Sequence, residues 1–286
     1  MRALPQNPAL TPPVTDQMRA IDIPPRPALL MALQRELRRE EPDVKKVAQL
    51  LGRDVAMAGQ LLKTANSAHL NLRRRPKTVS DAIALVGMNH CAAIMEGLFV
   101  RSILSNGKTM MARFWDVSEK RARGMSHVAK KTGCAPLDLA YSFGLFCDIG
   151  IPLMKASFPA YLETLAIANK MGTWRFVKLE DVRHGISHTT VGATLAEKWG
   201  ISPDIVLAIK NHHATEVLSD AAVPAAIKAL VAANLVVEKA IEEYRMADAS
   251  LEWREGGSAA AEVLGLSADD IEDICAELKN LFSGAP

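Results

Sequence analysis

The sequence is poor in aromatic residues for a chain of 286 residues. Phe, Trp and Tyr make up 5% of it, whereas Ala, Leu and Met are plentiful. Strands favour aromatic and β-branched side chains, while Ala, Leu and Met lose little free energy on entering a helix. No stretch alternates polar and apolar residues as a half-buried strand does. These absences predict an all-α protein.

Cysteine pairs, a signal sequence and long apolar runs are also lacking. The four cysteines are far apart in sequence and form no Cys-x-x-Cys pair: Cys91, Cys134, Cys147 and Cys275. This spacing is not typical of a zinc site or of a disulfide framework. No charged-then-apolar signal pattern is present, and no apolar run approaches the ~20 residues that a membrane span needs. We expect reduced thiols, no membrane association and a cytoplasmic location.

Neither sign of charge dominates the chain. Lys and Arg number 34 and Asp and Glu number 32, so the formal net charge is +2. A nucleic-acid-binding domain usually has a basic field, so we do not expect nucleic acid as a partner. The clearest charge run is Arg73, Arg74 and Arg75, followed by Lys77. Such a run is usually a solvated turn. The alternative is contact with an anion, either a nucleotide phosphate or an acidic protein face.

Helical periodicity is almost continuous from residue 21 onward. Apolar residues recur at helical spacing over about 54–68, and again in a long helix that begins after Thr78 and continues past residue 94. Helix starts are predicted where a capping residue precedes Asp or Pro at the appropriate spacing. These pairs are Thr78 with Asp81, Ser202 with Pro203, and Ser267 with Asp270.

Turn residues divide the chain. Ser105, Asn106 and Gly107 interrupt the periodicity, and Gly256 and Gly257 form a second weak point. We predict a flexible leader over 1–20, an N-terminal helical lobe over 21–107, a second helical lobe over 108–250 and C-terminal helices over 251–286.

Six stretches, in the expected order, resemble the HDOD family. They are Ile23–Pro27, Leu61–Ala68, Val79–Gly87, Gly185–Gly192, Trp199–Gly200 and Asn211–His213. Each is weak alone, but the ordered set is specific and covers about 21–216. The resemblance implies a two-lobed helical fold whose second lobe is like an HD-superfamily phosphohydrolase. Members of the family commonly act as signalling or regulatory modules.

The resemblance also implies a degenerate metal site in the second lobe. The superfamily uses one His, then a His-Asp pair and a later Asp, and these positions fall on Val117, Cys147, Asp148 and Asn234. A hydrocarbon, a thiol and a neutral amide do not form a cage for a hard divalent cation, and a hydrolase needs that cation to activate water. We therefore expect no metal, no cofactor and no catalysis by this route.

Asp148 is expected to be buried, because apolar residues surround it in sequence. A buried carboxylate needs hydrogen-bond partners, so we predict that it links helices through backbone amides or a histidine. His188, His212 or His213, and Asn234 fall on otherwise apolar helical faces. These groups predict one buried polar cluster that includes Asp148.

Three interpretations of this cluster remain open. It is a hydrogen-bond network that fixes helix packing, a remnant pocket for a small anion or nucleotide, or a replacement metal site. The metal site would use His184, His188 and His212 or His213. His184 and His188 have the i, i+4 spacing of helical metal ligands. A helix that begins near Ser187 would separate the two rings.

The sequence as a whole predicts a non-catalytic signalling or regulatory module that acts by binding. The expected partner is another signalling protein or a second copy of this chain. A nucleotide is the possible ligand. The alternative is a residual metal-dependent phosphohydrolase, or a sensor of cyclic dinucleotides or other nucleotides, with an altered HD site.

Overall fold

The computed structural model describes residues 14–67, 72, 74–104, 111–171, 174–245 and 251–283. Helices make up most of these ranges and no strand occurs within them, so the all-α prediction is confirmed. A short helix, Val14–Arg19, lies within the predicted leader. The predicted break at 105–107 lies outside the described residues.

The helices fall into two successive groups. The first group is α1 (Val14–Arg19), α2 (Ala28–Leu37), α3 (Val44–Leu51), α4 (Val55–Ala65), α5 (Val79–Val86) and α6 (Met88–Leu104). The second group is α7 (Ala112–Thr132), α8 (Leu137–Phe146), α9 (Gly150–Ser157), α10 (Tyr161–Met171), α11 (Trp174–His184), α12 (His188–Lys198), α13 (Pro203–Asn211), α14 (Ala225–Tyr244), α15 (Leu251–Leu264) and α16 (Ala268–Ser283).

The predicted helix starts are confirmed. Thr78 and Asp81 form a capping box at the start of α5. Ser267 accepts a hydrogen bond from the Asp270 backbone N–H at 3.1 Å, and Asp270 accepts one from the Ser267 backbone N–H at 2.9 Å. These bonds satisfy N–H groups that have no partner within the helix. Helix α13 begins at Pro203, as predicted, but the Ser202 side chain forms no capping hydrogen bond.

The single long helix predicted after Thr78 is wrong, because the structure has two helices there. Helix α5 ends at Val86 and α6 begins at Met88. Gly87 between them has φ of 92°, which glycine adopts readily because it has no Cβ. Apolar periodicity continues across this break, so the pattern alone did not reveal it.

Gly256 and Gly257, expected as a weak point, lie inside the continuous helix α15. A Cβ at residue 256 would lie 2.7 Å from the side chain of Thr215, and one at residue 257 would lie 2.7 Å from the indole of Trp253. The absence of a Cβ therefore allows close packing of the helix rather than a turn.

Buried apolar residues from both helix groups form one continuous core cluster. Helix α14 packs against α7, α13, α15 and α16, and α6 of the first group packs against α8 of the second. Two hydrogen bonds also join the groups. The Trp199 indole N–H donates to the Pro24 carbonyl at 3.0 Å, and Arg38 donates to the Gly200 carbonyl at 3.0 Å.

Helices α8 and α9 together are apolar enough to resemble a membrane span. The stretch Leu137–Ser157 is 21 residues long, and its most apolar 18-residue window has a mean hydropathy of 1.4. In the fold 72% of its most apolar window is buried. Its apolarity is thus accounted for by its place in the protein core, where a helix is hydrophobic on most of its faces.

Candidate functional site

Asp148 lies in the turn between α8 and α9, where a glycine brings two helices into close contact. A Cβ at residue 150 would lie 2.0 Å from the carbonyl oxygen of His188 and 2.9 Å from the backbone nitrogen of Gly192. Only glycine permits this approach of α9 to the first turn of α12. The contact places His188, the first residue of α12, beside Asp148.

Three imidazoles converge on Asp148 through their Nε2 atoms. His188 Nε2 lies 3.4 Å and His212 Nε2 lies 3.2 Å from Asp148 Oδ1. His213 Nε2 lies 3.2 Å from His188 Nε2. One donor atom from each of these four residues lies within 4.8 Å of the others. His212 and His213 follow directly after α13, so the turn at its end delivers both rings.

The second ring nitrogen of each imidazole is held by an acceptor. His188 Nδ1 lies 2.6 Å from Glu180 Oε2, and His213 Nδ1 lies 2.6 Å from Glu252 Oε1. His212 Nδ1 lies 2.7 Å from the Ile209 carbonyl oxygen, which only accepts hydrogen bonds. When Nδ1 carries the proton in each ring, each Nε2 presents a lone pair to the centre.

Lone pairs on three nitrogens and a carboxylate repel one another unless a positive charge lies among them. Burial lowers the pKa of His212 to about 4, so this ring is neutral. Burial also disfavours charge on His188, but Glu180, with Asp148, raises its pKa to about 9. A proton on His188 or a metal cation therefore balances the centre.

The donor atoms also fit a metal cation. Zinc binds imidazole nitrogen and carboxylate oxygen at about 2.0–2.2 Å, which gives an edge of roughly 3.3 Å between tetrahedral ligands. Three of the separations between these donor atoms are 3.2, 3.2 and 3.4 Å, and all of the donor atoms lie within 4.8 Å of one another. Acceptors on the outer nitrogens, as found here, also orient histidine ligands in metal sites. Asp148, His188, His212 and His213 are the residues that would hold the ion.

Arg121 and Glu238 were not identified from the sequence as part of this centre. The Arg121 side chain is 6% exposed, its Nη2 lies 2.9 Å from Asp148 Oδ2, and its Nε donates to Glu238. Burial disfavours charge on Asp148, but the charge of the neighbouring Arg121 guanidinium holds its pKa well below the usual range. The position of an arginine on the buried stripe of α7 was the available signal.

Glu180 was also missed by the sequence analysis. It is fully buried in α11 and accepts hydrogen bonds from the Tyr161 hydroxyl, the His188 backbone N–H and His188 Nδ1. A charged residue that shares a helix with buried Phe176 was the only sequence signal. Glu180 orients His188 and contributes negative charge to the centre.

Two of the four positions of the degenerate HD pattern contact each other, and one belongs to the imidazole cluster. Val117 lies on α7, half-buried against the core. Cys147 Sγ lies 3.9 Å from Asn234 Oδ1, and both residues are buried. Burial raises the pKa of Cys147 well above its ordinary value, so the thiol keeps its proton. Asp148 alone of the four belongs to the imidazole cluster.

His184 does not join the cluster. It is the last residue of α11, its Nε2 lies 2.8 Å from Thr164 Oγ1, and its ring packs against Phe158 and Tyr161. Helix α12 begins after Ser187, whose side chain caps it. The i, i+4 spacing with His188 therefore spans two helices, and the rings diverge.

The described part of the basic run lies at the start of α5. Arg74 lies 3.4 Å from Asp81, and the backbone N–H of Lys77 donates to the same carboxylate. Arg75 is exposed, and Arg73 lies outside the described residues. The contacts of Arg74 and Lys77 are those of a solvated helix start.

A cavity of about 330 Å³ adjoins the cluster at His213. Lys178 and Lys210 line it together with Asp181, Glu216 and Glu255. His188 and His212 are buried and do not line this cavity. Solvent reaches the centre at His213, whose side chain is 11% exposed, and at Asp148, whose side chain is 16% exposed.

A family model for the HDOD domain matches residues 23–215 of this sequence. The chain belongs to the HDOD domain family. The match covers α2–α6 of the first helix group and the second group as far as the turn after His213, so all four clustered residues lie inside the HDOD domain. Helices α14–α16 lie beyond it.

Relatives of this HDOD chain include an uncharacterized protein of Treponema pallidum (strain Nichols), 24% identical over 193 residues. That alignment covers 67% of this chain and 38% of the relative, so the chain spans well under half the length of the relative.

Two solved structures resemble the whole fold. One is a candidate signal transduction protein from Marinobacter aquaeolei VT8, with a TM-score of 0.71 and 18% identity over 96% of this chain and 60% of that one. The other is a candidate phosphohydrolase from Shewanella amazonensis SB2B, with a TM-score of 0.68 and 18% identity over 95% and 97% of the two chains. At this identity the likeness shows the fold.

Proposed function

We propose that this chain is a regulatory HDOD module that acts by binding a partner, and that one divalent transition-metal ion at Asp148, His188, His212 and His213 holds its second lobe in the binding-competent form. The observation that supports this most is the convergence of three imidazole Nε2 atoms and one carboxylate, each ring oriented by its own acceptor. Imidazole-rich sites suit zinc, iron, nickel and similar ions. The ion would crosslink α9, α12 and the end of α13.

The same geometry favours a structural over a catalytic ion. Structural zinc sites use four protein ligands, whereas catalytic sites keep an open position for water or substrate. Here four donor residues are already assembled, and the second oxygen of Asp148 is engaged by Arg121. His188 is 0% and His212 2% exposed, so two of the four ligands are closed to a substrate, while Asp148 is 16% and His213 11% exposed. The chain is thus proposed to be non-catalytic, as the sequence predicts, but to bind a metal ion, which the sequence did not predict.

The partner that best fits this proposal is a cytoplasmic signalling protein. Support comes from the similarity in fold to the M. aquaeolei protein, which is named for signal transduction. The apolar stretch of α8 and α9 is mostly buried, so no exposed membrane-binding helix is required. A second copy of this chain is the alternative partner, and a nucleotide is the alternative ligand.

A metal-dependent phosphohydrolase is the second candidate. The cavity at His213, with Lys178 and Lys210 on its wall, is the observation that favours it, because lysines attract phosphate. The S. amazonensis structure is named for this activity. Catalysis would require His213 to leave the ion, so that water could take its place.

Metal analysis of the purified full chain tests the cation site. We expect about one equivalent of a transition metal per chain, and its loss in His188→Ala and His213→Ala, because a site held by four ligands binds far more weakly with three. His127→Ala is the matched control, since His127 contacts Glu277 on the far helix α16. Metal-free wild-type protein that cannot be loaded with Zn²⁺, or equal metal content in all three variants, would contradict the proposal.

Hydrolysis assays separate the two candidate functions. Metal-loaded protein is incubated with bis(p-nitrophenyl) phosphate and with cyclic dinucleotides. We expect no turnover above that of His188→Ala. Turnover that depends on both the metal and His188 would replace the regulatory proposal with the phosphohydrolase.

A further inference from the structure

A cleft of about 400 Å³ lies between the two helix groups, away from the imidazole cluster. The first group lines it with Gln34 and Glu96, and the second lines it with Asp138 and Ser142. Its size is within the range of small-molecule sites, which often form where two structural units meet. None of the four clustered residues lines it, so a ligand here would be independent of the cation.

The side-chain oxygen of Gln34 is a hydrogen-bond acceptor to which no described residue donates. Its residue is 7% exposed, its Nε2 donates to Glu96 Oε1 at 2.8 Å, and its Oε1 has no hydrogen-bond partner among the described residues. Leaving a buried acceptor unpaired costs free energy, and native proteins rarely do so. The oxygen thus marks a place for a donor from outside the protein.

The cleft also contains two carboxyl groups, Glu96 and Asp138. Burial raises the pKa of Glu96 to about 7, and the charges of Arg26 and Arg38 only partly offset this. Neither arginine forms an ion pair with Glu96 in the part of the chain described, and Arg38 instead donates to the Gly200 carbonyl. The cleft therefore offers acceptors on Gln34, Glu96 and Asp138, while Arg38, which also lines it, is engaged through Nη2 by the Gly200 carbonyl.

We propose that the interlobe cleft binds a small planar ligand that presents adjacent N–H donors, the chemistry that guanine bases and guanidinium compounds share. A carboxylate accepts two parallel N–H bonds from such an edge, as it does from arginine. Glu96 would receive this pair and Gln34 Oε1 a further donor. Because Glu96 and Gln34 lie on the first helix group and Asp138 and Ser142 on the second, the ligand would bridge the two groups.

Calorimetric titration of the full chain with guanosine and, separately, with agmatine tests this site. We expect at least one probe to bind. Binding of guanosine would indicate a guanine base as the ligand, and binding of agmatine would indicate a guanidinium compound. At pH 8, above the pKa of Glu96 of about 7, Glu96→Gln should weaken that binding by about tenfold or more, because an amide N–H would face the donors of the ligand in place of a carboxylate. Glu163→Gln, an exposed carboxylate on α10, is the matched control and should bind like wild type.

A second variant tests the site independently, in case Glu96→Gln does not fold. Gln34→Met removes the acceptor without changing the charge, and should also weaken the binding, with helical content checked by circular dichroism. Failure of both probes to bind wild type would overturn the proposal. Equal binding by wild type, Glu96→Gln and Gln34→Met would also overturn it.

Discussion

Arg121 is the residue that balances the negative charge of Asp148 in the imidazole cluster. It contacts Asp148 with Nη2 and Glu238 with Nε, and all three side chains are largely shielded from water. A buried charge that loses its partner destabilises a protein far more than the pair stabilises it. The cluster of imidazoles therefore depends on an arginine that is bound to its carboxylate.

Replacing Arg121 with Met should lower the free energy of unfolding by about 3–5 kcal/mol, because two carboxylates lose their counter-charge. Urea denaturation measures this. The double variant Arg121→Met with Glu238→Gln should recover part of the loss, since one uncompensated charge is removed. Arg183→Met breaks an exposed pair with Glu163 and should change stability by less than about 1 kcal/mol. Similar losses in the two arginine variants would contradict this account.

Helices α9 and α12 determine the site as a pair, and a glycine sets their separation. The backbone of Gly150 approaches that of His188 so closely that a methyl group has no space between them. Well-packed backbone, unlike the end of a flexible side chain, cannot move aside without shifting a whole helix. The distance from Asp148 to His188 therefore depends on this helix contact.

Gly150→Ala should destabilise the protein by about 2–3 kcal/mol through overpacking. It should also weaken metal binding, because α12 must move away from Asp148. Thermal unfolding and metal titration measure the two effects.

Gly59→Ala is the control of opposite sign. Gly59 lies in α4 with no atom within 4 Å of the added methyl group, so alanine should stabilise the helix by about 0.5–1 kcal/mol. A neutral effect of Gly150→Ala on both stability and metal binding would show that the helix contact does not control the site.

At the scale of the whole molecule, the two helix groups share one apolar core but enclose a cleft that contains two carboxyl groups. Glu96 lies in this cleft, where its pKa is about 7 against an ordinary value of 4.5. The folded protein therefore binds more protons than the unfolded chain between these two values. The stabilisation from neutral Glu96 is complete below pH 4.5 and is lost as the pH rises through 7.

Glu96→Gln should remove this pH dependence, since glutamine does not titrate. The difference in the free energy of unfolding between variant and wild type should increase from pH 4.5 to 8 in favour of the variant, by an amount on the order of 3 kcal/mol at most. Urea denaturation at a series of pH values measures it, and comparison at each pH cancels the other titrating groups. A difference that does not change with pH would contradict the shifted pKa.

Much of the architecture was predictable because it depends on local preferences. Composition and apolar spacing predict the helices, and the pairs Thr78 with Asp81 and Ser267 with Asp270 predict two helix starts. The break at Gly87 was missed, because apolar spacing continues across it and glycine is tolerated inside helices as well as between them.

The sequence by itself determined the family, the helical class and the presence of a buried polar cluster with Asp148 and histidines. Only the tertiary structure decided its membership: His213 and Arg121 join it, His184 leaves it, and Glu180 and Glu252 orient the rings. The physical reason is that helix formation depends on neighbours within about four residues along the chain, whereas a polar centre depends on where separate helices meet. The close approach of the Gly150 backbone in α9 to the His188 backbone in α12 cannot be predicted from the sequence of either helix alone.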